Sequence, residues 1–350
     1  MTAKWMIYGA TGYTGQLIAQ KAKVMGHTPI IAGRNAEKVR KLATELELPW
    51  SAFSVDDPNA VRAALKNCSA VLSVAGPFSA TAEHMMRACI DTNTHYLDVT
   101  GEIAVFECAA RYGTNAEKAG VTLLPGVGFD VVPSDCLAAH TAKRAKAPKS
   151  LVIAIHGLGG PSQGTAKTAV ESLGNGTMVR EGGTIITKPA GSLKRVFTLN
   201  DIESNYLAVS WGDVSTAFYS TGINNIQVYF PAEGPIKTMT TLSRFIGPIL
   251  KLNSVQSFFK KQIDKMPAGP TEEQRIKDTS TLLAEVIDAD GTEYRSILHA
   301  PNGYTLTADS AVKSVLKIME GNINAGFQTP SLAFGASYYS ELDGCKLEDI

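Results

Sequence analysis

The chain has 350 residues, 44% of them apolar and 19% charged, which is enough to build two globular domains with separate cores. Lysine plus arginine numbers 33, as does aspartate plus glutamate, so the balanced charge predicts no nucleic-acid partner. The five cysteines are widely spaced without a C-x-x-C pair, a pattern typical of reduced thiols in a cytoplasmic protein, and we predict no metal site. No apolar run approaches the roughly 20 residues of a membrane-spanning helix.

Strand and helix patterns alternate through residues 1–133. Short apolar stretches predict strands at 4–9, 28–32, 50–55, 70–75, 96–99 and 121–125. Helical patterns follow them, and Asn35 and Asp57-Pro58 are residue types that begin helices. Such a series predicts an α/β fold, with an N-terminal Rossmann domain built on a doubly wound parallel sheet.

Strand-like runs dominate after Pro133, at 151–155, 184–187, 195–199, 206–210 and 226–230. Asp290-Gly291 lies between two β-rich runs and predicts a hairpin. We therefore expect a second, α+β domain with a largely antiparallel sheet at 134–305. The C-terminal segment 306–350 contains a predicted helix at 308–320, and we expect this segment to return to the Rossmann domain.

A glycine-rich loop follows the first strand directly and opens a helix. Glycine suits this place because the turn is tight, the backbone must approach a pyrophosphate, and the helix must pack close to the strand. The phosphates then bind at the helix N-terminus, where free N–H groups and the helix dipole favour an anion. The loop predicts dinucleotide contacts at Gly9, Thr11, Gly12, Tyr13, Thr14 and Gly15.

The end of the second strand indicates which nicotinamide cofactor is bound. An acidic residue there would bond the ribose 2′-hydroxyl of NAD. This chain instead has Arg34 and Asn35, with Lys38 one turn further. Because a guanidinium can bind a 2′-phosphate through two hydrogen bonds, we predict that the cofactor is NADP.

Three more strand ends carry residues suited to the same crevice, since ligands of open α/β sheets lie beyond the carboxyl ends of the strands. We expect cofactor contacts from Ala75, Gly76, Pro77, Phe78, Thr100, Gly101, Glu102 and Phe129. Asp98 and Asp130 are the predicted catalytic proton donors, with Glu102, His156 and Tyr219 as further candidates. Ordinary turn and cap chemistry is the alternative for each carboxylate, because aspartate is also preferred there.

Eight segments in order resemble one family: GATGYTG, AGRN, AGPF, HYLDVTGE, PGVGFDVVPSD, WGDVSTAFYSTGI, GPTEEQR and GFQTPS. They look like the saccharopine dehydrogenase-like oxidoreductases, in the branch that includes the trans-acting enoyl reductases. The resemblance runs from Tyr8 to about Tyr338 and implies an NADP-binding Rossmann domain plus an α+β domain used for substrate and often for dimerisation. The saccharopine enzymes carry a GLDPG-type segment where this chain reads Gly128 to Pro133, and this departure argues against an amino-acid substrate.

A loop of the second domain, Pro161 to Ala166, resembles the PSGTA loop with which dihydrodipicolinate reductases hold a substrate carboxylate. Its position before a predicted helix, with a hydroxyl and an ammonium nearby, suits an anion. The candidate substrate residues are Gly164, Thr165 and Lys167. The alternative interpretation is that this loop only caps the helix that follows it.

The stretch 238–266 combines helically spaced apolar residues with the basic residues Lys237, Arg244, Lys251, Lys260, Lys261 and Lys265. Gly247-Pro248 predicts a break between two helices. Four roles stay open: a core helix with a solvated face, a homodimer contact, a lid over an apolar substrate, and a peripheral contact with a membrane surface.

Together these features predict an oxidoreductase that transfers hydride from NADPH to an unsaturated, lipid-like small molecule, as an enoyl reductase does. One alternative is a dehydrogenase that acts on an amino-acid-derived imine. Another is a non-catalytic NADP-binding sensor or scaffold. The expected location is cytoplasmic, with contact at a membrane periphery as an option.

Overall fold

The computed structural model describes residues 4–157, 159–171, 174–199, 202–233, 237–238 and 246–350. Internal contacts divide the chain into two units. The first unit comprises Met1–Val132 and Tyr304–Tyr338, and the second comprises Pro133–Gly303 and Tyr339–Ile350.

The strands, in chain order, are β1 (Trp5–Tyr8), β2 (Ile30–Gly33), β3 (Trp50–Ala52), β4 (Ala70–Ser73), β5 (His95–Asp98), β6 (Thr122–Leu124), β7 (Pro148–His156), β8 (Thr177–Glu181), β9 (Thr184–Lys188), β10 (Lys194–Leu199), β11 (Ile202–Val209), β12 (Ile226–Pro231), β13 (Thr279–Asp288), β14 (Glu293–Pro301), β15 (Gly326–Phe327) and β16 (Lys346–Asp349). The helices are α1 (Tyr13–Val24), α2 (Ala36–Leu46), α3 (Pro58–Leu65), α4 (Phe78–Thr92), α5 (Ile103–Lys118), α6 (Val132–Ala142), α7 (Gln163–Glu171), α8 (Asp213–Thr221), α9 (Asn253–Ile263), α10 (Glu272–Lys277), α11 (Gly303–Met319) and α12 (Pro330–Phe334).

The first unit contains a sheet in the order β15-β6-β5-β4-β1-β2-β3, and every pairing in it is parallel. The chain proceeds from β1 outward to β3 and then returns past β1 to continue from β4 in the opposite direction. This reversal is the switch point at which doubly wound sheets bind ligands. The predicted α/β fold with a Rossmann sheet is confirmed.

Alternating side chains of β1 explain why the sheet has a core on each face. Trp5 and Ile7 enter the core formed with α1, α2 and α11, whereas Met6 and Tyr8 enter the core formed with α3, α4 and α5. All four side chains are at most 3% exposed, so β1 lies at the centre of the unit. The loop after β1 is therefore attached to a fully buried central strand.

Local capping bonds begin the helices that the sequence predicts. The Asn35 side chain accepts the Lys38 N–H at 3.0 Å to begin α2. The Asp57 carboxylate accepts the Asn59 and Ala60 N–H groups to begin α3, with Pro58 in the first turn. These bonds satisfy backbone donors that a helix leaves unpaired at its N-terminus.

The second unit contains a mostly antiparallel sheet in the order β10-β11-β12-β7-β13-β14-β16, with the hairpin β8-β9 attached to β12. Among the described strands, β7 and β12 are its one parallel pair. The predicted hairpin at Asp290-Gly291 joins β13 to β14, and Gly291 has the positive φ of 89° that its turn requires. The predicted α+β second domain with a largely antiparallel sheet is confirmed.

Two sequence expectations need correction. The segment 306–350 does not group as a whole with the first unit, because β16 pairs with β14 and Tyr339–Ile350 belongs to the second unit.

The second correction concerns the basic apolar stretch. Gly247-Pro248 does not break it, since residues 246–250 are helical and the interruption comes at Lys251-Leu252. Leu252 is extended (φ −66°, ψ 130°) and caps α9. Phe245 and Arg244 lie outside the described residues.

Within the described ranges, none of the helices combines the length and the apolar character needed to cross a bilayer.

Candidate cofactor and catalytic site

The loop between β1 and α1 is held against the neighbouring strands by backbone bonds. The N–H groups of Gly9 and Ala10 both donate to the Ala32 carbonyl, at 2.8 and 3.1 Å. A Cβ on Gly9 would lie 2.7 Å from the Ala75 nitrogen, and one on Gly15 would lie 2.4 Å from the Gly9 carbonyl oxygen. Glycine at positions 9 and 15 is therefore required by the packing of the protein itself.

Gly12 differs from these two glycines, because packing within the chain does not require it. Its backbone is extended (φ −74°, ψ 164°), and a Cβ there would lie 3.4 Å from the Gly9 oxygen, an ordinary contact. Gly12 is exposed and begins α1, and within the described residues no side chain caps this helix end. A helix end without a side-chain cap and with room for close approach fits the pyrophosphate of a dinucleotide.

Arg34 follows β2 directly and lies exposed beside this loop. A Cβ on the preceding Gly33 would lie 4.0 Å from the Thr11 hydroxyl, so the two loops meet. Within the described chain, Arg34 makes no ion pair. Burial raises the pKa of Tyr8, and the positive charge of Arg34 opposes this rise in part. An exposed guanidinium at this position suits a 2′-phosphate.

Glu102 is used by the protein as a helix cap. Its two carboxylate oxygens accept the N–H groups of Phe78 and Ser79, each at 2.9 Å, at the start of α4. The Glu102 N–H in turn donates to the Thr100 hydroxyl at 3.0 Å. These bonds join the strand-end segments 75–78 and 98–102, which were predicted to meet at the same edge of the sheet. The Glu102 carboxylate is used to cap α4.

Asp98 is fully buried, and both of its oxygens are occupied. One accepts the Tyr96 hydroxyl at 2.6 Å, and the other accepts the N–H groups of Thr100 and Gly126 at 2.9 Å each. Burial raises the pKa of Asp98 to about 6, against the lowering effect of these bonds. Asp98 therefore ties the loops after β5 and β6 together, which is the capping alternative and not the arrangement expected of a free proton donor.

Asp130 is the carboxylate that these loops leave available. Among the described residues it forms no hydrogen bond or ion pair, and it is half-buried at the end of the loop after β6. Burial raises its pKa to about 7. A Cβ on Gly101 would lie 2.8 Å from an Asp130 carboxylate oxygen, so the absence of a side chain at Gly101 leaves the space that this carboxylate fills.

The loop after β6 is held by hydrogen bonds to α11, and the sequence did not predict these bonds. The Phe129 N–H donates to the Thr307 hydroxyl at 2.9 Å, and the Ser310 hydroxyl donates to the Val127 carbonyl at 2.8 Å. Tyr304, one turn earlier, packs edge-on against Tyr13 with ring centroids 5.1 Å apart. The predicted helix began at residue 308, because its apolar periodicity starts there, whereas the observed one begins at Gly303.

The predicted anion loop of the second unit has its polar groups engaged. The Ser162 hydroxyl accepts the Thr165 N–H at 3.3 Å, and the Gln163 side chain donates to the Met266 carbonyl at 2.6 Å. Lys167 forms an ion pair with Asp264 at 2.5 Å. Gly164 is exposed. This pattern is that of a capped helix end.

Comparison with known families agrees with the geometry of the first unit. The family model described as the saccharopine dehydrogenase NADP binding domain matches residues 5–124. A probable mitochondrial saccharopine dehydrogenase-like oxidoreductase of Arabidopsis thaliana is 28% identical over 160 residues, which is 41% of this chain and 35% of that protein. A trans-acting enoyl reductase of Mycobacterium leprae is 30% identical over 138 residues, 37% of this chain and 33% of that protein. The matched region thus spans about a third of the length of these relatives.

Among solved structures, apo saccharopine dehydrogenase (L-Glu forming) from Saccharomyces cerevisiae covers 99% of this chain and 100% of its own, with a TM-score of 0.65 and 12% identity. At that identity the likeness concerns the fold alone. The prediction of NADP from Arg34 agrees with the family match and is confirmed. Residues 5–124 match the NADP-binding domain of the saccharopine dehydrogenases, so the resemblance predicted from the sequence is confirmed.

Proposed function

We propose that this protein is an NADPH-dependent reductase that acts on a carbon–carbon double bond next to a carbonyl group, with Asp130 as the proton donor. The observation that carries the proposal is the state of the Asp130 carboxyl, which burial holds at a pKa of about 7 and which the described residues leave without a partner. A general acid works best when its pKa lies near the working pH. The similarity to trans-acting enoyl reductases supports this substrate class.

The residues proposed to hold the cofactor follow its chemistry. The N-terminus of α1 at Gly12 would take the pyrophosphate, with Thr11, Tyr13 and Thr14 beside it. Arg34 would bind the 2′-phosphate, and Asn35 would keep its side chain for capping α2. The segments 75–78 and 98–102 with Phe129 would line the nicotinamide side of the crevice, at the carboxyl ends of the strands.

NADPH supplies a hydride when bound, and reduction of an enoyl group also needs one proton. Asp130 would give its proton to the α carbon, and with a hydride received at the β carbon the product would gain two hydrogens and the carboxylate would be left ionised. Solvent then reprotonates Asp130. Asp98 and Glu102 are positioning residues here, because their oxygens are used to fix the loops that carry Asp130 and Phe78.

The test is NADPH oxidation with short- and long-chain 2-enoyl thioesters of N-acetylcysteamine, with an imine formed from an α-keto acid and an amino acid as the competing class. We expect turnover with the enoyl thioesters, faster with the long chain if the substrate is lipid-like. Asp130→Asn should lower kcat about 100-fold or more and leave the NADPH Kd unchanged. Gly101→Ala should also lower kcat, since its Cβ would displace the Asp130 carboxylate.

Asp91→Asn serves as the matched control, because Asp91 is exposed and pairs with Arg62 at 3.2 Å. Turnover of the imine alone would replace the proposal by the amino-acid-type dehydrogenase. Tight NADPH binding without oxidation by either class, together with an Asp130→Asn variant indistinguishable from wild type, would favour the sensor.

A further inference from the structure

The segment 246–266 in the second unit has two sides of different character. On α9, Val255, Phe259 and Ile263 recur every fourth residue and pack toward the unit. With Leu250 they meet Ala166 and Val170 of α7 in a small apolar cluster. This side explains why the segment folds as it does, and it leaves the opposite side without a packing role.

Outside this cluster, the same segment exposes large apolar side chains. Phe258 is 58% exposed, Leu252 54% and Ile249 52%, and Ile246 and Met266 are exposed as well. Isolated exposed apolar residues are ordinary, but here five fall within one short segment. The prediction of a core helix therefore holds for Val255, Phe259 and Ile263, and it is wrong for Phe258.

Lysines accompany these exposed apolar residues. Lys261 and Lys265 follow Phe258 at helical spacings of three and seven, and Lys251 precedes Leu252. Within the described residues, no carboxylate lies at ion-pair distance from these three lysines. By contrast, Lys260 is paired with Glu171 at 2.6 Å and Lys167 with Asp264 at 2.5 Å. The one carboxylate of the segment, Asp264, is therefore already paired, and Lys251, Lys261 and Lys265 are exposed without a carboxylate partner among the described residues.

We infer that this surface, defined as Ile246, Ile249, Lys251, Leu252, Phe258, Lys261, Lys265 and Met266, binds the surface of an anionic lipid bilayer. A helix with apolar residues flanked by lysines lies in the headgroup region, where its apolar side chains leave water and its ammonium groups meet lipid phosphates. A second copy of the chain is a poorer occupant, because a two-fold contact would place two copies of this lysine-bearing surface face to face, and the surface has no carboxylate to neutralise them. The inference does not depend on the reaction proposed for the first unit.

The experiment is sedimentation of the full chain with phosphatidylcholine vesicles that contain phosphatidylglycerol, and with vesicles of phosphatidylcholine alone. We expect binding to the anionic vesicles that weakens as salt is added, since the lysine contribution is screened. Lys261→Gln/Lys265→Gln should reduce the partition coefficient about 30-fold. Ile249→Ser/Phe258→Ser should reduce it at least about tenfold.

The matched control is Ile202→Ser/Lys194→Gln, which removes one exposed apolar side chain (62% exposed) and one exposed lysine from another part of the same unit. It should bind as wild type does, and all variants should keep their NADPH affinity, so failure here and failure of the proposed function are separate results. Absence of binding to anionic vesicles, or binding that neither double variant weakens, would overturn the inference. So would a wild-type dimer in sedimentation analysis that Ile249→Ser/Phe258→Ser converts to a monomer.

Discussion

Two helix N-termini, those of α1 and α7, carry similar sequence signals and end in different states. Both have glycine and threonine near the helix start, and an anion was predicted at α1 and was one of two interpretations at α7. At α1 no side chain among the described residues caps the end, and Gly12 leaves space above it. At α7 the Ser162 hydroxyl caps the end, and Lys167 is neutralised by Asp264.

The difference teaches that a helix end is available to a ligand only where the chain's own polar groups leave it unused. The orphan N–H groups of a helix are satisfied by whatever polar group is nearest, whether a side chain or a ligand. At α7 the polar partners come from residues 264–268, about 100 positions later in the chain. The Gln163 backbone N–H, for example, donates to the Ala268 carbonyl at 3.0 Å. The following predictions test the two helix ends and the carboxylate that lies beyond the strand ends of the first unit.

The largest effect is expected from the glycines of the α1 loop. Gly15→Ala should lower the free energy of unfolding by about 3 kcal/mol or more, because its Cβ would lie 2.4 Å from a backbone oxygen. Gly12→Ala should change it by less than about 1 kcal/mol and yet weaken NADPH binding at least about 100-fold. Denaturant unfolding and calorimetric titration separate the two effects. If Gly12→Ala binds NADPH as wild type does, the helix end is not the phosphate site.

Arg34→Ala should weaken NADPH binding by about 1.5–3 kcal/mol and leave NADH binding unchanged, because only NADPH carries the 2′-phosphate. Titration of wild type and variant with both cofactors measures this, and Lys118→Ala, at an exposed lysine at the end of α5, is the control. Equal affinities of the wild type for the two cofactors would remove the proposed role of Arg34.

Asp130→Asn should stabilise the protein at alkaline pH and not at acid pH. The folded-state pKa is raised from 3.8 to about 7, so stability is highest when the carboxyl is protonated and is lost as pH rises through about 7. The variant cannot ionise and avoids this loss. We expect a gain of about 1–3 kcal/mol near pH 8 and little change near pH 4, measured by denaturant unfolding at each pH. A gain that is independent of pH would show that Asp130 is not the titrating group.

The smallest effect is expected at α7. Thr165→Val/Lys167→Met should lower the free energy of unfolding by less than about 1 kcal/mol, because the Lys167–Asp264 pair is largely exposed. Titration with inorganic phosphate should show no binding to either wild type or variant. Phosphate binding by the wild type that the variant loses would restore the anion site and end the contrast between the two helix ends.

The sequence by itself determined the order of strands and helices in the first unit, because buried parallel strands are short apolar runs and helices begin at recognisable residues such as Asn35 and Asp57. It also predicted NADP as the cofactor, since the glycine spacing and an arginine in place of the expected acid are local features that can be recognised without the fold. In the second unit, β8 was not predicted, because Thr177–Glu181 has no clear alternation and is ordered by pairing with β9 and β12.

Only the tertiary structure decided which of the polar residues are free to act. Asp98 and Asp130 look alike in the sequence, because each lies at or after the end of a strand with a glycine two or three residues away. The loop after β6 brings the Gly126 N–H to Asp98, which also accepts the nearby Tyr96 hydroxyl, whereas no group among the described residues forms a hydrogen bond with Asp130. In the same way, the contact of α9 with α7 turns Phe259 inward and leaves Phe258 exposed. The physical reason is that hydrogen bonding and burial depend on partners distant in the chain, whereas secondary structure and capping depend on near neighbours.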